Sequence, residues 1–286
     1  MFFHRLRQCV LRRRSVVIDF RTTRRMSAAG TLLLAAELSR INEILGAERF
    51  ITCSYPRDRK VAQVLQHVGV FELLGQTRRC RITADDVKYW KVDSGSLVDG
   101  EKADKAMEGY KHLFSDPKRK ALYRGLTEAM TNCKQHAYEE DRGDGLGPVP
   151  RWWMFSELRK GRLAVAICDL GIGMPRSLRR DDAGLLGMIL NVFSTRRLAP
   201  HDGNFISAAM EVGKSRTGEQ HRGKGLTDLR AVLDGLGGKL QIHSNQGFCE
   251  YEANKSGELC KNFKASMSIY GTLVLWLTPV PGEEAE

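Results

Sequence analysis

Three polar residues, Glu128, Asn132 and His136, recur at every fourth position along an otherwise amphipathic stretch. On a helix that spacing stacks them along one face. An acid, an amide and a histidine so aligned would project into one cavity. A solvated polar stripe would look the same, so this helix alone decides nothing. A second group, Asp169-Leu170-Gly171-Ile172-Gly173, directly follows the apolar run at 162–168. An acid at the end of a buried strand, then two glycines, makes a turn that lets backbone approach a flat ligand. A third group, His221-Arg222-Gly223-Lys224-Gly225-Leu226, opens a helical pattern reaching about Leu236. Glycines at a helix start expose backbone N–H groups, and the helix dipole favours anions there, which suits phosphate. The GxxxxGK[ST] pattern of a P-loop is absent.

The elements that must position these groups can be read from periodicity. Residues 118–138 form a helix with Leu122, Leu126, Ala129, Met130 and Cys133 on its apolar side. Residues 162–168 are a buried strand, 239–244 a further strand, and 271–277 a last one that begins Gly271-Thr272. Upstream, residues 15–20 and 50–54 read as strands, with helices at 27–45 and 58–74 between and after them. Strand–helix–strand–helix in so short a span implies a small α/β unit with a parallel sheet. Residues 79–116 are polar and less patterned, and read as a linker with a short helix near 101–113. Residues 282–286 are an acidic tail and 1–14 a basic N-terminal arm.

Composition narrows the classes further. Hydrophobic content of 42% and charged content of 28% suit a soluble globular protein. No apolar run approaches the roughly 18 residues of a membrane-spanning helix, so no membrane partner is expected. Eight arginines stand against one acid in residues 1–25, and most of the net charge of +11 lies there. A solvated arm explains this; a nucleic-acid or acidic-protein contact is the alternative. The opening residues superficially resemble an Arg-rich targeting segment but run directly into a strand. Seven scattered cysteines without a CxxC pair suggest reduced thiols and a cytoplasmic setting, with Cys133 and Cys168 as core fillers.

Taken in order, E-x3-N-x3-HA on a helix, DxGxG after a strand, a glycine-rich turn into a helix, and a strand beginning GT resemble the GHKL superfamily of histidine-kinase-like ATPases over residues 117–281. The expected fold class is α/β: a GHKL-type sandwich of a mixed sheet covered by helices, after a smaller N-terminal domain. The resemblance implies ATP and Mg2+ as ligands. It implies that Asn132 holds the Mg2+, that Glu128 is the general base of hydrolysis, and that Asp169 accepts a hydrogen bond from the adenine amino group. Gly171 and Gly173 would let the loop close over the base, and Thr272 would support Asp169. Gly223, Lys224, Gly225 and Leu226 would cradle phosphate, with Lys214, Ser215, Arg216 and Arg222 as further phosphate contacts at the end of a lid spanning 176–222. His136 would serve packing or hydrogen bonding.

Residues 15–78 resemble a STAS domain, the fold of anti-sigma-factor antagonists, in the VVIDF strand, the SAAG turn opening a helix, the FITCSYP strand and the closing VGVFELLG. Ala28 stands where that family carries its phosphoacceptor serine, and Ser27 where it carries an aspartate. The pairing implies a signalling role: a slow Mg-dependent ATPase acting as a regulatory switch, with a protein partner reached through the STAS-like module and a homodimer by family analogy. The alternatives are a serine/threonine kinase of anti-sigma-factor type, or a nucleotide-sensing module without turnover. No histidine has the setting of a phosphoacceptor in a histidine kinase.

Overall fold

The computed structural model describes residues 2–46, 50–84, 87, 90–159, 161–181, 183–215, 224–253 and 260–280. Its organising feature is strict alternation in the central strands. Along β5 (Arg162–Asp169), Leu163, Val165 and Ile167 enter one core while Ala164, Ala166 and Cys168 enter a second. Adjacent Trp152 and Trp153 divide in the same way on β4 (Trp152–Arg159), as do Leu275 and Trp276 on β9 (Thr272–Pro279). A period of two with apolar residues on both sides requires cover on both faces of the sheet.

That sheet has seven strands in the order β3-β4-β5-β9-β6-β7-β8, with β3 at Lys91–Gly95, β6 at Lys239–Ser244, β7 at Gly247–Glu252 and β8 at Lys261–Lys264. Every neighbouring pair is antiparallel. The expected mixed sheet is therefore corrected to an antiparallel one. The only parallel pair described is β1 (Val16–Asp19) with β2 (Ile51–Ser54), which form a separate two-stranded sheet. The segment expected to be a linker contributes the edge strand β3, helix α5 (Gly100–Met107) and a 3-10 turn, Glu108–Leu113.

Helices α6 (Asp116–Asn132) and α10 (Lys224–Leu236) lie together on the first face. Gly125 permits the close approach, because a Cβ there would collide with Val232. The second face is covered by α2 (Ala28–Leu45), which packs on β4 and β5. Leu32, Leu38 and Ile41 of α2 are fully buried in a core continuous with that face. Each contributes about 1.5–3 kcal/mol by leaving water. Ser27 starts α2 by accepting the Gly30 N–H at 3.2 Å. The order strand, helix, strand, helix read at 15–78 is present, completed by α3 (Arg59–His67) and the short α4 (Val70–Leu73).

Residues 1–14, expected to be a solvated arm, are largely helix α1 (Phe2–Leu11), with Leu6, Arg7 and Val10 buried. The reason is a charge cluster. The Arg7 Nε donates to Glu37 Oε1 at 2.8 Å, Arg40 grips Asp144 through two bonds of 2.8 and 3.1 Å, and Arg142 bonds both Glu37 and Asp144. All five side chains are 3% exposed or less. Burial pushes the Glu37 carboxyl up, against the pull of Arg7 and Arg40. Three guanidinium groups lie in hydrogen-bond reach of it.

The region expected to be a long lid is helical in its described part: α7 (Met174–Asp181), α8 (Ala183–Arg196) and α9 (Asp202–Ser215). These helices build a satellite core around Ile189, Phe205 and Ala209. Helix α9 packs on β7 and β8, and its first residue, Asp202, accepts the Gln246 N–H at 3.1 Å.

The cysteine expectation is also corrected. Cys249 on β7 and Cys260 before β8 form a disulfide, with Cα atoms 5.8 Å apart. Chain closure of this kind contributes about 2–4 kcal/mol. Reduction should lower the thermal midpoint, and a Cys249→Ala/Cys260→Ala variant should match the reduced wild type and be insensitive to reductant. An identical midpoint with and without reductant would show that the bond adds no stability. Cys133 and Cys168 are buried, as expected, and burial raises both thiols. Among the described residues no helix is long and apolar enough to cross a membrane.

Candidate functional site

The antiparallel pairing of β5 and β9 sets Asp169 opposite Thr272. At that end of the sheet the chain leaves β5 in the DxGxG turn and enters β9 from the Gly271 turn. Gly271 has φ +137°, and a Cβ there would collide with the Asp169 carbonyl oxygen. Asp169 Oδ1 accepts the Gly171 N–H at 2.9 Å and the Thr272 N–H at 3.2 Å. Both bonds fall on one oxygen, Oδ1. The carboxyl is thus aimed by two backbone donors.

Burial pushes Asp169 up to about 6, against the pull of the Gly171 and Thr272 N–H groups. A carboxyl raised in the folded state favours the protonated native form. The associated stability is complete below the unfolded value near 3.8 and is lost as pH rises through about 6.

Helix α6 reaches this turn through an extra-wide π turn, Cys133–Ala137. Glu128 and Asn132 sit half-buried on the regular helix, whereas His136 falls within the π turn. The uniform four-residue stripe expected of the three residues therefore ends at Asn132, since the wider turn changes the angular step. The π turn meets the loop: the Ile172 N–H donates to the Ala137 carbonyl at 2.8 Å. Gly171 lies so close that a Cβ would strike the same carbonyl. The E-x3-N-x3-HA helix and the DxGxG turn are in direct contact.

Three residues that the sequence pattern did not single out secure the arrangement. Tyr138 donates to the Arg151 carbonyl at 2.5 Å and accepts the Leu170 N–H at 3.0 Å. Asn245, itself at φ +50°, donates to the Ile172 carbonyl at 2.8 Å, and a Cβ on Gly173 would fall 2.5–2.7 Å from its side chain. Ser244 accepts the Met174 N–H at 2.8 Å and lies 2.9 Å from the Thr272 hydroxyl. The Thr272 hydroxyl also accepts the Met174 N–H, at 3.2 Å. Thr272 therefore supports Asp169 through its backbone N–H, and its hydroxyl pins the start of α7. No side-chain signal in the sequence marks these partners: Ser244 and Asn245 lie 70 and 73 residues from their bonding partners in the turn, and Tyr138 lies 32 from Leu170.

Of the remaining expected residues, Lys224, Gly225 and Leu226 form the first turn of α10, beside α6, and Lys214 lies near the end of α9. Arg216, Arg222 and Gly223 lie outside the described residues. Among those described, no cluster of three His, Cys, Asp or Glu side chains could hold a metal ion. An open groove of about 840 Å3 lined by Asp99, Glu101, Asp104, Glu108 and Tyr123 shares no residue with this constellation. Its lining also includes Lys105, and four acids against that one lysine disfavour a polyphosphate there. Compared with known proteins, the chain matches no protein-family model and no curated relative.

Proposed function

We propose that the chain binds ATP in a GHKL-type site and hydrolyses it slowly, as a regulatory switch. The observation that carries this reading is the meeting, at one end of the sheet, of an acid aimed by two backbone N–H groups, a turn held against the α6 extension by Gly171, and the Thr272 strand start. An acceptor oxygen beside closely approachable backbone is what a flat base with an exocyclic amino group needs. Asp169 Oδ2 would accept the adenine amino group, with Gly171 and Gly173 keeping the wall of the slot free of side chains.

The first turn of α10 offers N–H groups and a dipole to the phosphates. Asn132 would supply one oxygen to a Mg2+, whose charge would balance that of the phosphates. Glu128, one turn earlier on α6, would take a proton from the water attacking the γ-phosphorus, leaving ADP and inorganic phosphate. The STAS-like segment would carry the nucleotide state outward, since its helix α2 rests on the strands that end in the site.

Incubation with Mg2+ and γ-labelled ATP tests the reading. Free labelled phosphate without labelled protein is the expected result. Label on a protein side chain would instead establish the serine/threonine kinase alternative. Binding with neither product would establish a sensor without turnover.

The pH dependence follows from Asp169. Only its carboxylate form accepts at Oδ2 without competition from its own proton. Affinity for adenosine, which does not ionise between pH 5 and 8, should therefore rise as pH increases through about 6. In Asp169→Asn the titration should be flat; a wild-type profile that is also flat would contradict the role given to this acid.

A further inference from the structure

We infer that Arg142 is the positioning residue of the Asp169 loop, and that helix α1 controls its grip, so that α1 docking and adenine-nucleotide binding are coupled. This rests on the reading of Asp169 as the base-contacting acid. Arg142 Nη1 donates to the Leu170 carbonyl at 3.3 Å and to the Tyr270 carbonyl at 3.0 Å. Leu170 follows the acid itself. Tyr270 lies two residues before Thr272, whose N–H aims that acid. One guanidinium thus ties together the two chain segments whose separation sets the position of Asp169. Tyr270 adopts φ +55°, a left-handed conformation uncommon for an aromatic residue. Arg142 holds its carbonyl, and the Arg7 guanidinium lies 4.7 Å from the centre of its ring.

Helix α1 enters through charge balance. The buried cluster holds three arginines and two acids, so one cation exceeds the carboxylates available. Arg40 bonds Asp144 and the carbonyls of Leu146 and Gly147, and reaches Glu37 Oε1 at 3.5 Å. Arg7 and Arg142 share Glu37 Oε1, at 2.8 and 3.0 Å. Both acids hold Arg142 from one side, Asp144 at its Nε (2.8 Å) and Glu37 at its Nη2 (3.0 and 3.2 Å), which turns its Nη1 toward the loop carbonyls. Withdrawing Arg7 removes a guanidinium from Glu37 Oε1 and the cation from the face of the Tyr270 ring, which loosens both supports of the Tyr270 turn that Arg142 Nη1 holds. Undocking of α1 then weakens nucleotide binding, and by reciprocity nucleotide strengthens α1 docking.

The test uses the full chain with Mg-ATP and Mg-GTP as probes. Arg7→Ala should weaken ATP binding about tenfold and reduce the preference for ATP over GTP, while Arg7→Lys restores part of both. In the wild type, saturating ATP should slow hydrogen exchange at the amides of residues 2–11, a measurement that does not depend on the variant folding. A folded Arg7→Ala protein with unchanged ATP affinity and base preference would overturn the coupling. So would unchanged exchange in 2–11 when ATP is bound. If the wild type binds no ATP, the site assignment itself fails, and the coupling with it; that outcome is distinct because it precedes any comparison with variants.

Discussion

Glu128→Gln should lower ATP turnover by roughly 10²–10⁴-fold while leaving ATP affinity within about twofold. The substitution keeps the shape and hydrogen-bonding length of the side chain but removes its ability to take a proton. Helix α6 tolerates it, because Glu128 is half-buried on the regular part of the helix and glutamine is as good a helix former. A loss of turnover with binding intact separates a base from a binding residue, since only the transition state uses the proton transfer. The measurement is single-turnover phosphate release alongside equilibrium ATP binding for both proteins. Turnover equal to that of the wild type would remove Glu128 from the mechanism. A parallel loss of binding would make it a structural or binding residue instead.

The largest expected effect on stability belongs to Glu37. Glu37→Ala leaves Arg7, Arg40 and Arg142 buried around Asp144 alone, and removing one partner from such a cluster typically costs about 3–5 kcal/mol. Total stabilities of domains are about 5–15 kcal/mol, so the variant should lose a large share of its folding free energy. Urea unfolding followed by circular dichroism measures it. A change under about 1 kcal/mol would mean that water reaches the cluster and the burial described above is not maintained. Arg176 and Glu140 provide a contrast: their exposed pair at 3.0 Å should be worth no more than about 1 kcal/mol.

The apolar runs on β5 and β9 were legible because both faces of those strands are covered, which removes polar residues from the pattern. The direction of pairing was not. Two-face burial usually accompanies parallel sheets; here α2 covers the second face of an antiparallel one, so hydrophobicity alone suggests the wrong partner orientation. The order of the motifs identified Asp169, Gly171 and Thr272 as neighbours in space. It could not reveal that Thr272 acts through its backbone, because Ser244, the partner that takes up the hydroxyl, is an ordinary serine at a strand end.

Long-range charge pairing was equally hidden. Arg7 stands in an arginine-rich run that reads as solvated, and its partner Glu37 lies 30 residues away on a helix chosen for its leucines. Burial of an arginine becomes visible only when the carboxylate that compensates it is located. The π turn escaped notice for a local reason: Glu128, Asn132 and His136 keep α-helical spacing in the sequence, and the widened turn does not alter composition. Cys249 and Cys260 are brought together by the β7–β8 pairing, so their spacing carried no pattern of its own.

The central claim is that Asp169 reads an adenine base, and equilibrium titration of the wild-type protein with Mg-ATP and Mg-GTP tests it most directly. Adenine presents an amino donor where guanine presents a carbonyl acceptor. The carboxylate should bind the first and repel the second, giving saturable ATP binding with GTP weaker by at least about tenfold, the loss expected for one charged hydrogen bond. Equal binding of the two nucleotides, or no saturable binding of ATP, would contradict the account.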